Sequence, residues 1–403
     1  MSMTARTKAF VCSTCLSFPS LCRGVIIFLP LLLLTPAFAQ TLSFDRTDWP
    51  VDNSPTGLVV ADFNGDGILD IATANFNTDS VSVLLGNGDG SFQPAINSET
   101  NDVPSCTDTG TNCNIALVAG DLNGDGIPDL VVLDSTAYAT VLLGNGDGTF
   151  QVGTRYYVGE GPKAIAIADF NGDGALDLAV ASGGIGVAIR LGNGDGTFQD
   201  IWPVSSSGGP LYVSLVAIDL NGDGIPDIAT ANLNTNAVSV FLGNGDGSFQ
   251  QIGDSGPVGV AFCKNQPPRC EPVLAAGDLN GDNIPDLVVS DQIAYISVLL
   301  GNGDGTFQNP MTHIFRGEGP AGIVLADFNG DGVLDYTAAL VNGIVTVGLG
   351  NGDGSFQRPA FFHAGNFPAF VVTGDFNGDG RPDIAVANSG DNTVTVLINT
   401  SSP

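Results

Sequence analysis

One hexapeptide pattern, D-[FL]-N-G-D-[GN], occurs seven times in this chain. The copies begin at Asp62, Asp121, Asp169, Asp219, Asp278, Asp327 and Asp375, spaced 59, 48, 50, 59, 49 and 48 residues apart. A period of that length means one supersecondary unit repeated, with each unit burying its apolar face only against its neighbours. Every copy follows a short apolar run, such as LVVA before Asp62 or AIAIA before Asp169. It precedes a second run (DIATA, DLVVL, DLAVA), a third ending in LGNGDG[ST]FQ, and a more variable segment. Four short strands per unit predict an all-β fold: a seven-bladed β-propeller of four-stranded antiparallel blades. The 55 Gly and 23 Pro agree, being turn-dense and poor in helix formers.

The spacings carry a longer period, in which 59, 48, 50 is followed by 59, 49, 48. Blades 1 and 4 share IATAN (Ile71 to Asn75 and Ile228 to Asn232) and the GSFQ turn, and blade 7 returns to IAVAN from Ile384. The order reads 1-2-3-1-2-3-1, a duplicated three-blade unit with one blade appended. The seventh copy stops at Asn399, without a GNGDG turn or a fourth strand. Leu42 to Trp49 can supply that strand, since Phe44 stands 18 residues before Asp62 much as Phe150 stands 19 before Asp169. The N-terminal strand is therefore expected to close the ring and remove its open edges.

Within each copy, positions 1, 3, 5 and 9 bear side-chain oxygens and position 7 offers a backbone carbonyl. The sets are Asp62, Asn64, Asp66, Ile68 and Asp70 in blade 1, and Asp121, Asn123, Asp125, Ile127 and Asp129 in blade 2. Blade 3 has Asp169, Asn171, Asp173, Ala175 and Asp177; blade 4 has Asp219, Asn221, Asp223, Ile225 and Asp227. Blade 5 has Asp278, Asn280, Asp282, Ile284 and Asp286; blade 6 has Asp327, Asn329, Asp331, Val333 and Asp335; blade 7 has Asp375, Asn377, Asp379, Arg381 and Asp383. Hard oxygens on alternate residues of a tight loop suit Ca²⁺, which takes about 6–8 of them. Up to seven structural calcium ions are expected. Position 12, a bidentate Glu in an EF-hand, is here Thr73, Val132, Val180, Thr230, Val289, Ala338 or Val386. Weak sites of the order of 10⁻⁴–10⁻³ M follow. The competing reading is a plain Asx turn, which tolerates the same residues for local reasons. Blade 5 carries Asn283 where the others have Gly at position 6. The GNGDG aspartates, Asp89 to Asp353, are read as hairpin-turn residues, and the phenylalanines after them as wedges between blades.

The D-F-N-G-D-G-x-x-D loop, the preceding G-x-G-P and the LGNGDGTFQ strand resemble the FG-GAP/VCBS repeat family, best known from the N-terminal propellers of integrin α subunits. The resemblance covers nearly all of the chain after residue 39. It implies a calcium-stiffened propeller with metal in the hairpins between first and second strands, on the positions named above. Members include adhesion receptors, lectin-like binders and scaffolds of polysaccharide-degrading enzymes, so the resemblance supplies no ligand.

Arg6, Lys8 and Arg23 precede an apolar run ending in Ala37-Phe38-Ala39, which reads as a secretory signal peptide spanning residues 1–39. The run carries Pro30 and Pro36 and falls short of a membrane span. Residues 40–403 then form the propeller, secreted or held in the cell envelope. Cys106/Cys113 and Cys263/Cys270 remain, two pairs of equal spacing. Export favours two local disulfides, although four cysteines allow three connectivities and reduced thiols are the alternative.

The formal charge is −30, from 42 Asp+Glu against 12 Lys+Arg. Too few cations remain to track a phosphate backbone, which excludes nucleic acid. The loops and GNGDG turns hold 27 of the acids, so the acidity is mainly metal-ligand inventory. His313 and His363 belong to no catalytic constellation, and no enzyme is expected. The expected partner is a protein or glycan on the face opposite the loops, where the cysteine insertions (about 97–114 and 253–272) bring Lys264 and Arg269. A monomer serving adhesion or recognition is expected. A lyase-like polysaccharide-degrading enzyme and a structural envelope protein are the alternatives.

Overall fold

The computed structural model describes residues 42–100, 116–204, 212–257, 272–290, 295–314 and 319–402. Among them the regular elements are all strands, arranged as seven four-stranded antiparallel sheets in a ring. Blade 1 runs through Pro55–Ala61, Asp70–Asn75, Ser80–Leu84 and Ile96–Glu99, each strand paired to the next. The first strands (Pro55–Ala61, Leu117–Gly120, Pro162–Ala168, Tyr212–Ile218, Leu274–Gly277, Pro320–Ala326 and Pro368–Gly374) adjoin one another around the axis. The DFNGDG loops leave them on one face, and the strand-two-to-three loops leave on the other.

The expected closure is present. Phe44–Pro50 pairs antiparallel with Thr393–Asn399, Phe44 opposite Asn399 and Pro50 opposite Thr393. Thr400 N donates to Ser43 O at 2.8 Å, extending the seam. A central strand covered by a neighbouring blade on each side has no solvated face, so its apolar run need not alternate. Every second strand, from Asp70–Asn75 to Asp383–Asn388, is accordingly buried along its whole length.

The phenylalanines after the GNGDG turns do wedge between blades. Phe92 meets Phe376 edge-on with ring centroids 5.6 Å apart, Phe150 meets Phe63 at 5.7 Å, and Phe249 meets Phe170 at 5.4 Å. Phe198, Phe307 and Phe356 pack in clusters containing Leu122, Leu220 and Leu279. Phe44 fills the seventh junction against Phe328 at 6.2 Å.

The outer strands do not follow the three-blade period. Phe150–Tyr157 and Phe249–Pro257 run straight on from the turn, whereas in blades 1, 3, 5 and 6 the Phe makes one isolated bridge before the strand resumes. Pro94, Pro310 and Pro359 follow the Phe in blades 1, 5 and 6, while blade 3 breaks at the same place without a proline between Phe198 and Trp202. A proline there removes a ladder donor, which interrupts pairing.

Candidate functional site

The nine-residue loops are folded by their own side chains. In blade 1, Asp62 accepts the amides of Gly65 (2.7 Å), Asp66 (3.1 Å) and Gly67 (2.7 Å). Asn64 Oδ1 accepts Asp66 N, and Asp66 Oδ1 accepts Ile68 N at 2.8 Å. These bonds pull the chain into a turn that needs left-handed backbone at positions 4 and 6, met by Gly65 (φ 74°) and Gly67 (φ 81°). Asn283 takes the same conformation at φ 63° and donates to Asp278 Oδ2 as its glycine counterparts do. The loop of blade 5 thus keeps its shape despite the substitution.

Position 9 sits apart from the exposed positions. Asp70 is fully buried; its Oδ2 accepts Phe63 N and its Oδ1 accepts Gly86 N, both at 2.8 Å. One carboxylate therefore ties its own loop to its own GNGDG turn. Burial pushes Asp70 up to about 6 against the pull of those two amides, with the charges of Asp66 and Asp62 adding to the rise. Asp335 rises to about 7 and Asp383 to about 6 for the same reasons, and Asp129, Asp177, Asp227 and Asp286 shift the same way.

Position 2 is a joint between blades. Its side chain is buried at 0–4 % exposure, from Phe170 and Phe328 to Leu122, and packs against the next blade's wedge. Its N–H goes to the position-9 carboxylate, and its carbonyl accepts the last glycine N–H of the next blade's GNGDG turn. Gly148 donates to Phe63 O at 3.2 Å, Gly196 to Leu122 O at 2.9 Å, Gly247 to Phe170 O at 3.1 Å and Gly90 to Phe376 O at 3.0 Å. The same bond recurs from Gly305 to Leu220 O and from Gly354 to Leu279 O. Inside each turn the aspartate acts locally: Asp89 Oδ1 accepts Ser91 N and Oγ, as a hairpin residue should.

Among the described residues no three acidic, His or Cys side chains converge into a ready-made metal cage. The donor set nonetheless suits a hard divalent cation. All its groups are oxygens. Carboxylate and amide oxygens can accept more than one donor, so the turn bonds leave acceptor capacity. The buried position-9 carboxylate lies among like charges with no cationic side chain in six of the seven loops. Blade 7 differs. There Arg381 clasps Asp379 Oδ2 at 2.5 Å and donates to Ser401 O, so an internal cation already offsets one acid.

The opposite face has no motif common to all blades; three of them share an Asn. Five residues after position 9, among the described residues, six blades present Asn75, Asp134, Ser182, Asn232, Leu340 and Asn388. Asn75 Nδ2 donates to Ser80 and Ser82, and Asn388 Nδ2 to Thr393 and Thr395. Asp134 accepts the amides of Thr136, Ala137 and Tyr138 and pairs with Arg155, which stacks 4.1 Å over Tyr138. Burial raises the Asp134 pKa, but these bonds outweigh it and hold the carboxyl below its usual range.

The first strands enclose an apolar channel. A cavity of about 430 Å³ lies at the end where they begin, opposite the loops, and another of about 570 Å³ lies nearer the loops. The residue six places before the loop lines the mouth in six blades: Thr56, Lys163, Val213, Pro272, Ala321 and Ala369. Lys163 is the one lysine among the described residues. Phe367 also lines the mouth, 56 % exposed and held at φ 53°, with Ser389 N and Oγ both donating to its carbonyl. Sequence reasoning did not find this mouth, because its residues share no motif.

His313 and His363 lie on outer strands. His313 sits edge-on to Phe356 at 5.8 Å, and burial lowers its pKa. Cys106, Cys113, Cys263, Cys270, Lys264, Arg269 and the leader at 1–39 fall outside the described residues.

Residues 62–132, 121–180, 169–230, 219–289 and 278–338 match the FG-GAP-like repeat, and residues 367–397 match the FG-GAP repeat. Among curated proteins none matches the chain. Similar solved structures include an Agrocybe aegerita lectin, studied for specific recognition of non-reducing terminal N-acetylglucosamine. It is 21 % identical with a TM-score of 0.55, covering 90 % of this chain and 96 % of that one. BBS1N in complex with ARL6DN is 12 % identical with a TM-score of 0.58, covering 89 % and 96 %. Chaetomium thermophilum Raptor is 14 % identical with a TM-score of 0.56, covering 90 % of this chain and 30 % of that one. At these identities the likeness is one of fold.

Proposed function

This chain belongs to the FG-GAP-like repeat family, and from that premise we propose a secreted, non-enzymatic recognition propeller with two working faces. Calcium held by the DFNGDG loops stiffens one face, and the channel mouth on the other meets a protein or glycan. The observation that carries the recognition half is the mouth itself. It is a concave apolar site with a few polar groups, the usual character of a binding site. An exposed aromatic held in left-handed backbone costs of order 1–3 kcal/mol, and such strain gathers at ligand clamps. Phe367 beside Thr56, Lys163 and Ser389 offers a flat apolar surface with polar groups at its edge, a combination that suits a sugar ring or a protein side chain.

Calcium, when bound, supplies a positive centre that offsets three acids per loop. The chain's own residues do the rest. Positions 1, 3 and 5 shape the turn, position 9 anchors it to the GNGDG hairpin, and position 7 offers its carbonyl. Secretion is supported by the basic, apolar and Ala37-Phe38-Ala39 order of residues 1–39.

A glycan and extracellular-matrix array, probed in calcium and in chelator with the wild-type chain and Phe367→Ala, tests this reading. A ligand retained by wild type and lost by Phe367→Ala is expected. Binding indifferent to Phe367→Ala would move the site away from the mouth, and product release from acidic polysaccharides would overturn the non-enzymatic assignment.

A further inference from the structure

The joints described above form a circuit, and one residue closes it. Starting from blade 1, Phe63 O accepts Gly148 N of the blade 2 turn. The first glycine of that turn, Gly144, donates to Asp129 Oδ1 at 2.8 Å, and Asp129 Oδ2 accepts Leu122 N at 2.9 Å. Leu122 O then accepts from the blade 3 turn, and the same three bonds repeat to blade 6. Blade 7 has no GNGDG turn to continue the pattern. Asn399 replaces both of its glycines. Its backbone N–H donates to Asp383 Oδ1 at 2.7 Å, as Gly144 does to Asp129, and its side-chain Nδ2 donates to Phe328 O at 2.8 Å, as a turn glycine would. Asp383 Oδ2 accepts Phe376 N, Phe376 O accepts Gly90 N, and Gly86 N returns to Asp70. Every loop is thereby joined to both neighbours through its position-2 peptide.

We infer that the seven loops bind calcium as one coupled ring, in which filling one loop raises the affinity of the others, and that Asn399 is the clasp closing it. The inference rests on the calcium reading above. A cation gathering positions 1 to 9 fixes the position-2 peptide. That peptide's carbonyl then holds the next blade's turn, and the turn's first amide holds the next position-9 carboxylate. A neighbouring loop restrained in this way has less conformational freedom left to lose when it binds, which is positive cooperativity without a change of shape. Six of the seven inter-blade bonds are backbone to backbone. The Asn399 side chain makes the seventh, so a substitution there cuts the circuit without touching a glycine.

The test titrates CaCl₂ into the chelator-treated chain by calorimetry, with amide hydrogen exchange of the loops read in parallel. Wild type is expected to bind with a Hill coefficient above 1. Asp223→Ala, an exposed change in the blade 4 loop, should remove one site and weaken the remaining ones by roughly fivefold or more, the lower end of typical coupling. Asn399→Ala should lower the Hill coefficient and speed exchange in loops far from blade 7. If Asn399→Ala fails to fold, Asp223→Ala decides alone. A Hill coefficient of 1, with Asp223→Ala losing one site and leaving the others unchanged, would overturn the coupling while calcium binding stands. No binding heat and no change in loop exchange in wild type would overturn both.

Discussion

On one face of the ring, seven blades end their first strands in nearly the same nine residues, and each loop is held by the same set of bonds. On the other face, the ends of the second strands carry Asn75, Asp134, Ser182, Asn232, Leu340 and Asn388, and of these only Asn75 and Asn388 bond alike, to hydroxyls five and seven residues on. The strand Asp227–Asn232 joins the two within one blade, and both of its end residues are fully buried. Asp227 at the loop end accepts two buried amides and is raised in pKa by burial. Asn232 at the other end accepts Asn234 N and Thr235 N of its own hairpin. Repetition thus marks the face where blades are fastened to each other. Variation marks the other face, where the bonds between neighbours, such as Gly161 N to Thr136 O and Ser54 N to Asn392 Oδ1, follow no single repeated pattern, which leaves that face free to diverge toward a partner.

The largest expected effect breaks the fastening. Asp227→Ala would orphan Leu220 N and Gly243 N in a dry junction at about 1–3 kcal/mol each, a loss readable as a lower urea midpoint in chelator. A junction phenylalanine sharpens the same point: Phe92→Ala, buried between blades 1 and 7, should cost about 3–5 kcal/mol. Asn232→Ala, at the other end of the same strand as Asp227, should cost only about 1 kcal/mol. If Asn232→Ala proved as damaging as Asp227→Ala, the distinction between the faces would fail. Smallest of all, Phe367→Ala should change stability by no more than about 0.5 kcal/mol while removing ligand binding.

Acid should also separate the buried position-9 carboxylates from Asp134. Asp70, Asp335 and Asp383 have folded pKa values above the ordinary 3.8, so the unfolded chain loses their protons first as pH rises. In metal-free protein their contribution is present below about pH 4 and is lost as pH rises through about 6 to 7. Asp134 has the opposite sign, since its lowered pKa stabilises above the ordinary value and that gain disappears as pH falls through it. Melting in chelator should therefore improve from pH 7 toward pH 5 and decline again in stronger acid. Calcium should abolish the improvement by favouring the charged carboxylates. A chelator melting temperature that falls steadily from pH 7 to pH 5 would contradict this assignment.

The architecture was legible because it is repeated. Seven aspartate loops gave the blade count, and the missing turn after Asn399 together with the placement of Phe44 gave the closure. The wedging phenylalanines were legible for the same reason. The fastening was harder to read. Position 2 alternates between Phe and Leu and looks like ordinary core, and its carbonyl carries the inter-blade bond whatever the side chain. Asn399 stands alone at the end of the last strand, with no second copy to betray its role. The shared Asn75, Asn232 and Asn388 were visible as a signature, but their hydrogen-bond partners lie in neighbouring strands and hairpins that only the fold brings together. The outer-strand breaks at Pro94, Pro310 and Pro359 could have been read from proline chemistry. The channel mouth could not, since the residues at its six equivalent positions share no chemistry, only their place before the loop.

The central claim is that the repeated loops hold calcium and that this holds the ring. Calorimetric melting of one preparation in chelator and then in excess CaCl₂ tests it most directly. Each filled site should add about 2.7 kcal/mol at a hundredfold excess over its Kd, so the predicted result is a large upward shift in Tm that grows with calcium concentration. Superimposable melting curves in calcium and in chelator would contradict the account.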